Sequence, residues 1–166
     1  MRPGGGRDKG SAFEREVAAA VANAFGVPRT QCYRTPLSGG HPFGDKGDLV
    51  IGPALLPRFP YCVECKRVRS FDLTRLMMPW SARAKKKSWL ENKFIEQAIR
   101  QAQSPIRPLL VVRADHQFAL AIRPWGVRDS SHGMCFEYAG DAWAVSLFEN
   151  WLTETVAREG KVVSVS

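Results

Sequence analysis

The stretch from Gly47 to Lys66 constrains this chain more than any other. It reads G-D-L-V-I-G, then a turn-rich passage through Pro53, Pro57 and Pro60, then Y-C-V-E-C-K. Both apolar runs have the length and the bounding turn residues of buried strands. Asp48 opens the first; Glu64 and Lys66 lie near the end of the second. Successive side chains of a strand point to opposite faces, so Glu64 and Lys66 share one face while Val63 and Cys65 share the other. Pairing of Leu49-Val50-Ile51 with Cys62-Val63-Glu64 would bring Asp48 beside Glu64. Two ionised carboxylates about 4 Å apart repel by roughly 4 kcal/mol at an effective dielectric near 20, so such a pair calls for a cation or a proton. Magnesium suits the site, since it takes a few oxygen ligands and keeps waters. Lys66 would then orient or deprotonate an attacking water and offset charge on a phosphate. An isolated E-x-K is more often a solvated strand edge; the apolar flanks favour a site, because buried acids need partners.

At 166 residues and 45% hydrophobic, the chain fits one domain with a full core. No apolar run approaches the length of a membrane span, and M-R-P-G-G-G-R-D-K lacks the hydrophobic centre of a signal peptide, so a cytoplasmic location without membrane contact is expected. The net charge of +8 and a pI near 9.7 favour a polyanionic partner, nucleic acid first. Cys62 and Cys65 form a C-x-x-C, but Cys32 and Cys135 are lone residues without His at ligand spacing. Reduced, mostly buried thiols fit better than zinc.

Residues 1–9 are Gly-rich and basic, a flexible lead-in. Ser11-Ala12-Phe13-Glu14 is a capping box that predicts a helix from Ser11, with Phe13, Val17, Val21 and Phe25 as its apolar stripe. Glu14 therefore has two readings, a carboxylate returning to the Ser11 amide or a third acid near the metal. Gln31 to Thr35 reads as a strand, and 36–47 as a Gly-rich loop. Its backbone can approach a phosphate closely, with Ser38 and His41 as donors and Lys46 adding charge; Asp45, inside the loop, is the weaker acid candidate. A helix from about Ser88 to Gln103 follows, with Phe94, Ile95, Ala98, Ile99 and Ala102 buried. Strands are expected at 109–112, 117–123 and 135–138, with an edge strand at 142–145. A second capping box, Ser146 to Glu149, starts a helix running to about Arg158, and 161–166 is a tail. The fold class is α/β, a central mixed sheet of about five strands flanked by helices, in a single domain 1–166.

Four segments, in this order, carry a resemblance: K-G-S-A-F-E-R-E-V at 9–17, R-T-P-L-S-G-G at 34–40, G-D-L-V-I at 47–51 and V-E-C-K at 63–66. They closely resemble the archaeal-type Holliday junction resolvases of the PD-(D/E)xK nuclease superfamily. The resemblance implies Mg2+, with Mn2+ able to substitute, held by Asp48, Glu64 and the backbone carbonyl of Cys65, with Glu14 helping through water. It implies Lys66 as the catalytic lysine, and Ser38 in a loop with Gly39 and Gly40 that contacts the scissile strand. Lys9 and Arg34 match basic positions near the DNA backbone, Lys46 and Arg67 join them as DNA contacts, and Gln97 would reach the metal-bound water or be a surface polar residue. The family works as a homodimer, whose two sites nick symmetry-related strands of a four-way junction. No small-molecule cofactor is expected.

Two departures stand out. Gly47 occupies the family's usual proline position, and the segment 67–93 is longer than the expected link. Within it Leu73, Leu76, Met77, Met78 and Trp80 form an apolar cluster, and Lys85, Lys86 and Lys87 lie between Trp80 and Trp89. That segment is either a DNA-contacting element or a solvated helix face with core tryptophans, and the Met/Trp cluster offers a third use, dimer contact. The alternatives to a resolvase are a related repair or restriction-type nuclease with another substrate and, further off, a non-catalytic DNA-binding protein.

Overall fold

A computed structural model describes residues 5–36, 47–86, 88–126 and 133–162. The elements in chain order are α1 (Gly5–Ala24), β1 (Cys32–Arg34), β2 (Leu49–Ile51), β3 (Tyr61–Val68), α2 (Leu73–Leu76), α3 (Trp80–Arg83), α4 (Leu90–Gln101), β4 (Arg107–Ala114), β5 (Leu120–Pro124), β6 (Met134–Tyr138), β7 (Asp141–Leu147) and α5 (Phe148–Val162). The main sheet has five strands in the order β3-β4-β5-β7-β6, with β3 and β4 parallel and the other neighbours antiparallel. This is the expected mixed α/β architecture.

Alternation along β3 and β4 builds two cores. Val63, Cys65, Leu109 and Val111 face a layer holding Phe13, Val17 and Val21 of α1 and Trp151 and Leu152 of α5. Leu110, Val112, Ile122 and Val145 face Leu76 of α2 and Ile95 and Ala98 of α4. Cover on both faces is why these strands read as continuous apolar runs. The parallel β3–β4 pair needs a crossover, and α4 provides it. Among the described residues no helix is long and apolar enough to cross a membrane.

Several boundaries differ from the expectations. Helix α1 starts at Gly5, six residues ahead of the predicted Ser11, so Ser11 lies inside the helix and caps nothing. The weak helix propensity of the glycines there is overridden, and Asp8 in the first turn complements the helix dipole. Helix α4 is shorter than predicted, and Ile99 on it is 40% exposed. Strand β7 is interior, with β6 at the sheet edge, because β7 pairs on both sides. The Ser146 hydroxyl accepts from Arg123 Nη1 at 3.0 Å, and α5 begins at Phe148 directly after β7. It continues to Val162, past the expected end at Arg158 and into the expected tail. Cys135 is exposed, while Cys32, Cys62 and Cys65 are buried, all as free thiols.

The long 67–93 segment is a structural layer. Leu76 and Phe71 are buried, and Trp80 packs on Tyr138 with ring centres 4.6 Å apart. Together with α4 it covers the β5–β7–β6 part of the sheet, where the Tyr138 hydroxyl donates to the Asn92 carbonyl of α4 at 3.5 Å. The apolar cluster divides: Leu76 and Trp80 turn inward, while Met77 and Met78 are about two-fifths exposed, at 38% and 41%.

Candidate active site

β2 does not pair with β3. It forms its own antiparallel ribbon with β1, in the register Cys32↔Ile51, Tyr33↔Val50 and Arg34↔Leu49. The residue just ahead of β2 makes the connection instead. Asp48 N–H donates to the Val63 carbonyl at 2.8 Å, and the Cys65 N–H donates to Asp48 Oδ2 at 2.8 Å. From the other side, the Thr35 N–H donates to the Asp48 carbonyl at 2.9 Å, and the Thr35 hydroxyl to the Gly47 carbonyl at 3.1 Å. Asp48 thus sits beside β3 as expected, by a route other than the predicted strand pairing.

Gly47 explains the missing proline. Its φ of +112° lies where an L residue is strained and where proline, fixed near −65°, cannot go. A Cβ there would also meet the Val63 carbonyl oxygen at 2.9 Å and Cys62 Sγ at 3.0 Å.

Glu64 is 1% exposed. Its Oε1 accepts from Lys66 Nζ, two residues on along the same face, and from Gln97 Nε2 of α4 at 2.6 Å. Its Oε2 is buried with no hydrogen-bond partner. The Lys66 ammonium also lies 5.8 Å from the centre of the Phe94 ring. Glu14 is buried on α1 and accepts from Arg34 Nε at 2.5 Å. Its carboxylate is therefore engaged with β1 and does not return to Ser11.

The electrostatics of this cluster suit a cation. The Asp48 carboxyl is raised from 3.8 to about 7, first by burial and then by the neighbouring Glu64 and Glu14 carboxylates, against the lowering effect of the Cys65 N–H and Lys66. A buried acid near neutrality beside a carboxylate oxygen without a partner fits a divalent cation. Asp48 and Glu64 are the side chains that would hold it. Among the described residues no group of three or more His, Cys, Asp or Glu side chains is arranged around a metal position.

The other expected site residues divide. Gln97 joins the site through Glu64. Arg67 pairs with Asp115 at 3.6 Å, and Lys9, Lys85 and Lys86 are exposed. Ser38, Gly39, Gly40, Lys46 and Lys87 lie outside the described residues, as do His41 and Asp45. Two features were not legible beforehand. Phe94 reads as one of a helix's apolar stripe, and only the antiparallel run of α4 over β3 brings it to Lys66. Arg83 stands in a basic stretch, R-A-K-K-K, yet is 0% exposed.

A mixed sheet with an acid ahead of one strand and Glu64-x-Lys66 on the next defines a nuclease of the PD-(D/E)xK type, a class that acts on DNA and generally uses divalent metals. Residues 5–124 match the family described as "Phage putative PDDEXK endonuclease", and the chain belongs to that family. No curated protein and no solved structure matches it.

Proposed function

We propose that this chain is a magnesium-dependent endonuclease that cuts four-way DNA junctions by paired symmetric nicks, acting as a homodimer. The observation that carries the hydrolytic part is the convergence of Asp48, Glu64 and Lys66, with Glu64 Oε2 buried and unpartnered. The order and spacing of the four sequence segments support the junction as substrate.

Asp48, Glu64 and the Cys65 backbone carbonyl would hold Mg2+ or Mn2+, with Glu14 contributing through water. The ion, when bound, supplies charge neutralisation at the phosphate and a lowered pKa for water. Lys66 directs its ammonium to the attacking water and the scissile phosphate. Gln97 fixes the Glu64 carboxylate, as groups behind a ligand do. Phe94 walls one side of Lys66 and limits water there. Lys9, Arg34, Lys46, Arg67 and the Ser38-Gly39-Gly40 loop contact the DNA backbone, with Lys85, Lys86 and Lys87 extending the grip. A second reading keeps this chemistry and changes the DNA to that of a repair or restriction-type enzyme. It is favoured by the phage endonuclease family and by the 67–93 layer.

The test is cleavage with magnesium of a synthetic four-way junction beside duplex, single-stranded and flap DNA. Symmetric nicks confined to the junction are expected, and equal cutting of duplex or flap transfers the substrate to the second reading. Asp48→Asn and Glu64→Gln should abolish cutting and leave binding equal or tighter, since each removes negative charge near phosphate. Loss of binding would make these acids structural.

A further inference from the structure

The lysines after α3 stand on a backbone locked from beneath. The fully buried Arg83 guanidinium lies 5.2–5.6 Å from the ring centres of Trp80, Phe136 and Tyr138. Its Nη1 donates to the Leu76 carbonyl at 3.1 Å and to the Glu137 carbonyl of edge strand β6 at 2.8 Å. Its Nη2 donates to Asn92 Oδ1 at 3.2 Å. Asn92, buried in the first turn of α4, closes the ring: its Nδ2 donates to the Arg83 carbonyl at 3.1 Å and the Lys86 carbonyl at 3.3 Å. The backbone of residues 83–86 is thereby tied to α2, β6 and α4 at once, while Lys85 and Lys86 point outward, exposed.

The place of this lock relative to the chemistry follows from α4. Gln97 meets Glu64 and Phe94 meets Lys66, so moving toward the start of α4 runs past the active site toward the carboxyl end of β3. Exposed Lys93 comes next, and then Asn92. From Gln97 to Asn92 the helix rises ~7.5 Å, about two phosphates of one DNA strand at 3.4 Å each. A buried guanidinium is costly to keep, and a solvated lysine run needs no such support. Fixing cations before the ligand arrives lowers the ordering cost of binding.

We propose that Arg83 and Asn92 are a positioning pair that preorganises a cationic ridge, Lys85, Lys86 and Lys93, for the phosphate backbone of DNA flanking the cut. This deepens the nuclease reading and rests on it for the substrate class. A structural role confined to starting α4 would leave DNA affinity and its salt dependence untouched.

The test uses the full chain with junction and duplex DNA, binding followed by fluorescence anisotropy across a salt series. The triple variant K85Q/K86Q/K93Q, altered only at exposed positions, should lower the salt slope by about 2–3 and weaken binding at least tenfold. Arg83→Met should raise KM several-fold with kcat unchanged at saturating DNA; Arg83→Lys should fail to restore KM, because an ammonium cannot make the forked contacts. Added to the triple variant, Arg83→Met should cause little further loss, since both act on one ridge. An unchanged salt slope in the triple variant, or fully additive losses, overturns the proposal; the first outcome stands even if Arg83→Met does not fold. If wild type binds DNA with the expected slope and cuts none, the ridge survives and the nuclease reading fails.

Discussion

At the scale of single residues, the site depends on groups that are individually unfavourable in the metal-free protein. Asp48 is the clearest. Its carboxyl is raised from 3.8 to about 7, first by burial. A raised acid binds its proton more tightly folded than unfolded, so its contribution is fully present below about pH 4 and is lost as pH rises through about 7. A tenfold change in proton affinity is about 1.4 kcal/mol, so metal-free protein should lose a few kcal/mol between pH 5 and pH 8. Urea unfolding at the two pH values should show that loss, reduced in Asp48→Asn and in the presence of magnesium. An equal slope in wild type and variant would place the acid in solvent. Gly47→Ala should destabilise by about 1–3 kcal/mol and reduce cleavage, because the strained φ and the Val63 contact both push Asp48 out of place. Gln97→Ala should cost about 10–100-fold in activity with little change in Tm, the behaviour of a residue that holds a ligand. Asp48, Glu64 and Lys66 were legible as neighbours because they lie at the ends of two continuous apolar runs bounded by turn residues, and a period of two puts Glu64 and Lys66 on one face. The partner of Glu14 was not, since Arg34 reaches it across twenty residues through a ribbon whose pairing no local pattern encodes.

At the scale of elements, the 67–93 segment changes meaning. As sequence it is an excess between two expected elements; in the fold it is part of the layer over half the sheet. Trp80 against Tyr138, with Leu76 and Phe71 beside them, buries the face formed by Ile122, Val145, Phe136 and Trp143. Trp80→Ala should therefore cost about 3 kcal/mol, measured by chemical denaturation. Excising 72–86 should yield insoluble protein and not a smaller nuclease, because it bares that apolar face. Soluble, active protein from that excision would mean the segment is an appendage after all. The strands flanking it were foreseeable from their apolar runs. The order β5-β7-β6 was not, because an edge strand and an interior one have similar composition when the edge is short and one face is covered.

At the scale of the whole molecule, the parallel pairing of β3 with β4 sets when the chain can become an enzyme. Tyr61 is matched with Arg107 and Lys66 with Val112, so every acid of the site and its lysine leave the ribosome before the strand that supports them. At ~5–20 residues per second, residues 67–114 take roughly 2–10 s to follow. Through that interval the nascent chain already carries Glu14, Asp48, Glu64 and Lys66, yet has no sheet on which to assemble them. A fragment ending at residue 106 should accordingly show neither protected β3 amides in hydrogen exchange nor any cutting of DNA, while extension through α5 restores both. The order of synthesis thus keeps the acids and the lysine apart until the last layers of the fold are in place.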